Sequence, residues 1–570
     1  MKREPTINVV PEITSVQDMV LRSARIYGDK IALEDLKEYP IPRLTYSSLL
    51  KNILKFGTAL RSLGIKERSH VAVIGENRVQ WCLAFLTGMC FDYVMVPIDK
   101  NLTINEILNI LHESDATAVI YSDAFEPIFS ERRQSLKKLK HYINMDIPPA
   151  KGSVHSMVGL IQESQGCETH QLPKIKPGEL AEIIFTSGSL GRAKGVMLSQ
   201  RNLATNLMAM VKLIQIVSED RFLCVLPIHH TYACTCGFLC PMYMGSSVHF
   251  AQSLKTVVDD LQSVHATVLL TVPLMYDKMF KRIYKSIQEK KVTSLLVNPI
   301  IKAGGIFERV GWKGFRRVAF KEIHEKFGGS IRLFIAGGAA QDPLVAKGLR
   351  EFGFTFVQGY GLTETAPILT LNQIDNFKDD SAGIPLPGVT IKIDSPDASG
   401  VGEIWARGDN VMLGYYKNEL QTKETFEGPW FKTGDLGMID EDGFLHISGR
   451  KKNVIISRSG ENVYPEELED LLNRSPYVLE SMVYGESDPK LDEIIAAQVV
   501  VDAEAFIEYS ETRGKEITRD MMKSVIAEEI AKVNHEVPAF KQIRKFYVRD
   551  REFEKTTTQK VKRFVAQNKT

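Results

Sequence analysis

Residues 183–195 read Ile-Ile-Phe-Thr-Ser-Gly-Ser-Leu-Gly-Arg-Ala-Lys-Gly. Three apolar residues that suit a buried strand run straight into a loop of small and hydroxyl-bearing residues, which ends in a lysine. Such a loop lets backbone N–H groups and hydroxyls surround phosphate oxygens while the lysine supplies positive charge. The spacing is not GxxxxGK[ST], so this is no Walker A loop. Taken alone, a Gly/Ser-rich turn is as often a flexible connector.

The surroundings have the grammar of a layered α/β protein. Asp18–Tyr27 and Tyr46–Leu63 carry apolar residues at helical spacing. Runs 70–74, 117–121, 182–185, 222–226, 268–272, 331–336 and 354–358 read as short buried strands, most of them followed by Gly, Pro or hydroxyl turns. From about Gly388 the runs shorten and alternate (390–393 and 403–407), which predicts a small β-rich subdomain. After Gly449-Arg450 the pattern becomes α+β. There 454–456 reads as a strand, Pro465 opens a helix, and a second helix over about 519–534 sets Met522, Val525, Ile526, Ile530 and Val533 on one side. The expected fold class is therefore α/β: a large N-terminal region of layered α/β subdomains with a small β-rich subdomain over residues 1–450, then an α+β domain over 451–570.

Composition narrows the field. The chain has 570 residues, 44% hydrophobic and 25% charged, with net charge +1. That is globular, and it leaves no chain-wide basic field for nucleic acid. The start, Met1-Lys-Arg-Glu-Pro5, has no apolar segment behind it, so no signal peptide is expected and the cytoplasm is the expected compartment. Residues 222–254 contain no Asp, Glu, Lys or Arg. Pro227, Pro241, His229 and His230 interrupt them, which favours buried strands and turns over a membrane span. Four of the seven cysteines (Cys224, Cys234, Cys236, Cys240) crowd there. Their spacing fits no zinc pattern, and buried free thiols are expected.

Further segments carry chemistry. Gln358-Gly-Tyr-Gly-Leu-Thr-Glu-Thr-Ala366 sets a glycine turn, a ring, hydroxyls and a carboxylate directly after a strand. Tyr360 could stack on a purine, Thr363 could bond a phosphate and Glu364 could hold Mg²⁺. Phe431-Lys-Thr-Gly-Asp435 places a carboxylate where it could accept from ribose hydroxyls, and Ser448-Gly-Arg450 adds a cationic donor.

In this order and spacing the segments resemble the adenylate-forming superfamily, which includes acyl-CoA synthetases, luciferases and nonribosomal-peptide adenylation domains. The resemblance runs from Leu44-Thr-Tyr46 to Lys560 and is strongest to long-chain fatty acid–CoA ligases. It implies ATP, Mg²⁺ and coenzyme A as the small molecules handled. Thr186, Ser187, Gly188, Ser189, Gly191 and Lys194 would close over the β- and γ-phosphates. Gly337, Gly338, Ala339 and Tyr360, followed by Gly361, would bracket adenine. Thr363 would meet the α-phosphate, Glu364 the metal, and Asp435 with Arg450 the ribose. Leu226-Pro-Ile-His-His230 matches a Leu-Pro-x-x-His element and makes His230 a gate beside the substrate carboxylate. The alternative is a core histidine.

Lys555-Thr-Thr-Thr-Gln-Lys-Val-Lys-Arg563 puts Lys560 on the family's catalytic lysine. The chemistry needs one, because carboxylate attack on an α-phosphate brings two anions together. The resemblance also implies a mobile C-terminal domain, with Lys452 at the hinge and Ser459 and Gly460 lining a pantetheine tunnel. Three positions depart from the family pattern: Leu190 for Thr, Ala193 for Pro and Gln559 for Gly.

The acid is less legible. Residues 275–326 carry thirteen Lys/Arg against five Asp/Glu, with Ile, Leu, Phe and Trp312 interleaved. This reads either as a surface resting on anionic lipid at the inner face of a membrane, or as a solvated helix face. Long-chain fatty acid is the expected substrate. Aryl or medium-chain acids, transfer to a carrier protein, or a non-catalytic nucleotide-binding scaffold are the alternatives. Oligomeric state is open, a homodimer included.

Overall fold

A computed structural model describes residues 7–148, 154–186, 193–289, 291–309, 312, 314–457, 460–488, 492–514, 516–555 and 561–563. The chain divides into two compact units: 1–391 with 406–431, and 392–405 with 432–570.

The first unit holds two large sheets. Leu180–Thr186 lies between Val94–Ile98, parallel, and Lys194–Ser199, antiparallel, in an eight-stranded sheet that continues through His70–Ile74 and Ala118–Tyr121. The other sheet has nine strands, with Arg221–Cys224, Val268–Thr271, Leu333–Ala336 and Phe356–Gly361 side by side and parallel. Apolar runs at these strands are buried on both faces, as expected when helices cover a parallel sheet. Helices Val16–Tyr27 and Tyr46–Ser62 form where the spacing predicts them. Ser15 caps the first, and a Thr45/Ser48 capping box opens the second.

The uncharged stretch folds differently from the strands and turns expected. It is a strand (Arg221–Cys224), a π-helical segment (Tyr232–Leu239), a short helix (Cys240–Met244) and a strand (Ser247–Phe250). Apolar residues all round give no period to read, and burial then permits either geometry. Among the described residues no helix is long and apolar enough to cross a membrane. Cys224, Cys234, Cys236 and Cys240 are free and buried. Burial raises the thiols, Cys224 and Cys240 to about 12 and Cys234 and Cys236 well above the usual range.

In the second unit Trp430–Ile439 pairs antiparallel with Leu445–Arg450, beside Gly402–Arg407 and Thr390–Asp394. Residues 432–450 group with the residues that follow them, whereas the sequence suggested a border at 450/451. Beyond it, Val478–Asp488, Asp492–Val501 and Lys545–Arg549 form a three-stranded sheet. Helices Pro465–Asn473 and Arg519–Glu536 pack on it through Leu468, Leu472, Val525, Ile526, Ile530 and Val533.

One buried group carries an energetic cost. Glu182, four residues before the hydroxyl loop, is 1% exposed, and among the described residues its Oε1 accepts no hydrogen bond. Desolvation raises its carboxyl to about 8. Because the folded pKa is raised, the acid destabilises the fold progressively as pH climbs from the unfolded value toward 8. Glu182→Gln is therefore expected to raise the thermal midpoint at pH 8.5, with the gain shrinking toward pH 5. Scanning calorimetry at the two pH values checks this, and an equal shift at both would contradict it.

Candidate active site

The hairpin formed by Leu180–Thr186 and Lys194–Ser199 closes with Thr186 opposite Lys194. Ser187, Gly188, Ser189 and Gly191, between them, lie outside the described residues. Gly414–Tyr415 adds to the free edge of this hairpin, Tyr415 opposite Val196. That addition sets the Tyr415 ring 5.4 Å from Lys194 Nζ, and the Tyr415 hydroxyl donates to Glu364 Oε1 at 2.9 Å. A cation and a carboxylate thus meet one tyrosine, although 170 residues separate them in the chain. The backbone is tied too, since Met412 N donates to the Glu364 carbonyl at 2.8 Å.

Glu364 sits in the short turn Thr363–Thr365, after the strand Phe356–Gly361. Gly361 lies against the chain reversal behind it, where a Cβ would collide with the Pro367 carbonyl oxygen. Buried amides fix the turn from behind. Asn410 Nδ2 donates to the Thr365 and Ile368 carbonyls at 2.9 and 3.0 Å, and Asn206 Nδ2 to Ile368 at 2.7 Å. Both asparagines are 0% exposed. Neighbouring Leu333–Ala336 delivers Gly337, Gly338 and Ala339 at its end. Gly337 packs so closely on the Tyr232 ring that a Cβ would stand 2.7 Å from it, while Gly338 and Ala339 are exposed. Thr363 and Tyr360 are half-buried.

The Leu226–His230 turn is pinned by Asn77, whose Nδ2 donates to the Leu226 carbonyl at 2.7 Å and whose Oδ1 accepts from Ile228 N at 3.1 Å. His230 is half-buried, its ring 4.2 Å from that of His229. His229 Nε2 is 3.5 Å from Asp99 Oδ2 at the end of Val94–Ile98. Among the described residues these three form the cluster of ligand-type side chains, and no cysteine belongs to it. Beyond Tyr232 a small apolar cavity of about 30 Å³ is lined by Met210, Ile214, Phe222, Cys236, Leu270 and Leu371, and touches Ala336 and Gly359.

The second unit carries its own constellation. Asp435 stands opposite Arg450 in the antiparallel pair, and Arg450 Nε is 2.7 Å from Asp435 Oδ1, the carboxylate buried and the guanidinium exposed. Thr433 Oγ1 accepts from Asp435 N at 3.1 Å and donates to the Ile404 carbonyl. Lys452 lies in the exposed turn Lys451–Asn453, and Gly460 donates its N–H to Ser457. Ser459 and Lys560 lie outside the described residues. On either side of Lys560 the chain is anchored. Lys555 bridges antiparallel to Val561 and ion-pairs with Glu480 at 2.8 Å, and Arg563 donates to Glu469 at 2.6 Å. Desolvation raises the Glu469 carboxyl to about 7, opposed by Arg563.

A profile of the AMP-binding enzyme family matches residues 20–416, and one of the AMP-binding enzyme C-terminal domain matches 467–560. The chain belongs to the AMP-binding enzyme family. It is 27% identical over 99% of its length to the long-chain-fatty-acid–CoA ligase FadD15 of Mycobacterium bovis, covering 97% of that protein. To the chloroplastic long-chain-fatty-acid–[acyl-carrier-protein] ligase AEE15 of Arabidopsis thaliana it is also 27% identical, over 91% of this chain and 80% of that one. The fold matches the crystal structure of the anthranilate CoA ligase AuaEII in complex with anthranoyl-AMP, with TM-score 0.78, 20% identity, and 99% and 98% of the two chains covered. This AMP-binding enzyme is thus an adenylate-forming ligase of mixed α/β fold with a separate C-terminal domain.

Tyr415, Asn410, Asn206 and Asn77 were not singled out by sequence reasoning. Asn77 alone had a local signal, a polar Glu76-Asn77-Arg78 run just past a strand. Tyr415→Phe keeps the ring beside Lys194 and removes the bond to Glu364. A hydrogen bond to a charged group contributes roughly 1.5–3 kcal/mol, so pyrophosphate release should slow on the order of tenfold or more with the melting temperature little changed. An unaltered rate would show that the tyrosine does not position Glu364.

Proposed function

We propose that this enzyme joins a long-chain fatty acid to coenzyme A through an acyl-adenylate. The observation that carries the reading is the wall beyond Tyr232, which is apolar throughout and of the kind that suits an alkyl tail, worth about 0.8 kcal/mol per buried methylene; the cavity of about 30 Å³ that it lines would widen to admit one. It touches Ala336 and Gly359, so a tail lying in it would leave its carboxylate toward the Gly337–Ala339 and Tyr360–Glu364 segments, beside His230. The name of the mycobacterial relative supports the same substrate class.

In this reading a carboxylate oxygen attacks the α-phosphorus of ATP. The bond to the bridging oxygen breaks, and pyrophosphate leaves with the electron pair. Lys194 and the hydroxyl loop hold the β- and γ-phosphates, Thr363 the α-phosphate, Gly337–Ala339 with Tyr360 the adenine, and Asp435 with Arg450 the ribose. Glu364, its carboxylate oriented by the Tyr415 hydroxyl, would hold a Mg²⁺ ion together with the substrate phosphates. The ion would neutralise phosphate charge. Lys560 bridges the two anions in the crowded transition state. In the second step the thiol sulfur bonds to the acyl carbonyl carbon and AMP leaves, with Lys452 as hinge and Ser459-Gly460 beside the pantetheine arm.

Pyrophosphate release across short, medium, long and aromatic acids, with and without coenzyme A, tests this directly. Turnover should peak at long chains, depend on coenzyme A, and fall by about a hundredfold or more in Lys560→Ala. A peak at aromatic acids would sink the substrate reading and keep the mechanism. Acyl transfer only to a carrier-protein thiol would move the enzyme to the class of the Arabidopsis relative. Tight ATP binding with no pyrophosphate from any acid would favour a scaffold.

The cavity wall supplies a separate check. Cys236→Phe inserts a ring where a small thiol now stands. It should raise KM for the longest acids at least tenfold and spare shorter ones. A uniform loss across all chain lengths would place the tail elsewhere.

A further inference from the structure

Asp99 follows the strand Val94–Ile98 of the eight-stranded sheet, and His229 and His230 lie in the turn after Arg221–Cys224 of the nine-stranded sheet. The fold brings them together: one carboxylate oxygen and one ring nitrogen from each histidine all lie within 4.8 Å of one another. Asp99 is 9% exposed and His229 8%. His230 is half-buried, which opens the group to solvent.

The separation of Asp99 and His229 is informative. His229 Nε2 is buried and, among the described residues, has no hydrogen-bond partner, yet it stands 3.5 Å from Asp99 Oδ2. A charged N–H···O pair closes to about 2.7–2.9 Å. A carboxylate oxygen and an imidazole nitrogen that share a tetrahedral zinc ion, at about 2.0–2.2 Å each, stand about 3.4 Å apart. The spacing is that of two ligands across an ion, and it is too long for a donor and its acceptor.

The group is also held as metal ligands are. Asp99 Oδ1 accepts from Asn101 N at 2.9 Å, which orients the carboxylate. Asn77 pins the histidine turn through both its amide atoms, and His230 N donates to the Pro227 carbonyl at 3.1 Å. Two imidazoles and one carboxylate suit zinc, with cobalt as its surrogate. They do not suit magnesium, which prefers oxygen ligands and keeps much of its water.

We propose that Asp99, His229 and His230 bind Zn²⁺, at a site separate from the place of Mg²⁺ at Glu364. Three protein ligands leave the fourth position of a tetrahedral ion open. On the reading that His230 stands beside the acid's carboxylate, the open position faces that carboxylate. The ion then withdraws His230 and draws electron density from the attacking oxygen, so zinc inhibits formation of the acyl-adenylate. Ion binding itself does not rest on that reading.

The test begins with equilibrium dialysis of the full-length protein against Zn²⁺, without ATP or acid. The wild type should take up one zinc ion with an affinity that falls about a hundredfold or more in Asp99→Asn and in His229→Asn. Co²⁺ in its place should give visible bands of a nitrogen–oxygen site, without the near-ultraviolet thiolate band that binding at Cys167 would produce. Melting curves without metal check that the variants fold, and if one does not, the other decides. Free Zn²⁺ at about ten times its dissociation constant, beside saturating Mg²⁺, should cut wild-type pyrophosphate release about tenfold and leave Asp99→Asn little changed. A wild type that takes up no zinc would overturn the proposal. Equal zinc on the wild type and both variants would also overturn it, as an adventitious ion only. Zinc bound at these residues with pyrophosphate release unchanged would keep the site and overturn the inhibition. Should no acid be turned over at all, dialysis and the cobalt spectrum still decide the site.

Discussion

The active region depends on an edge-strand addition. The hairpin of Leu180–Thr186 and Lys194–Ser199 would by itself leave a row of unpaired N–H and C=O groups on its outer edge. The two-residue strand Gly414–Tyr415 occupies part of that edge. By doing so it sets the Tyr415 ring beside Lys194 and aims its hydroxyl at Glu364. The charges proposed to meet phosphate and metal come from different sheets, and this short pairing fixes their distance. Asn410 and Asn206 complete the arrangement by holding the carbonyls behind Glu364, so the carboxylate stands on a turn clamped at both ends. Side chains held in this way need no reorganisation when charge develops, which is how preorganised sites lower barriers.

Much of this was legible beforehand, for definite reasons. The strand ending at Thr186 announces itself because Ile183, Ile184 and Phe185 precede a loop that could belong to no helix. The turn around Glu364 is legible because its glycines are forced by close backbone approach, and so leave a mark in the sequence. The C-terminal helix Arg519–Glu536 shows its buried side at the expected spacing. Tyr415 and the two asparagines left no such mark. Their partners lie 42–162 residues away in the chain, and an amide beneath a carbonyl looks like any other surface asparagine until the fold closes over it. The π-helical Tyr232–Leu239 was hidden for the opposite reason, since a run that is apolar on every side carries no period.

The boundary near residue 450 shows how local pattern and pairing can disagree. The shift in style after Arg450 is real, and a new set of helices and strands begins there. Yet Asp435 and Arg450 face each other across one ladder, and Lys451 reaches Glu403 at 2.9 Å. Strand pairing holds residues 432–450 in one sheet with 390–407, and that sheet groups with the C-terminal residues, so the unit begins before the compositional change.

The cysteines have a practical consequence. Six of the seven are buried, and burial holds those thiols protonated at neutral pH, when they neither displace a leaving group nor oxidise readily. Cys167 is the partly exposed exception. A maleimide dye added to the native protein would therefore attach at one place in the first unit, with no cysteine removed. The natural sequence already provides a single chemical handle, from which distances to a second, introduced probe on the C-terminal domain could be followed through a catalytic cycle.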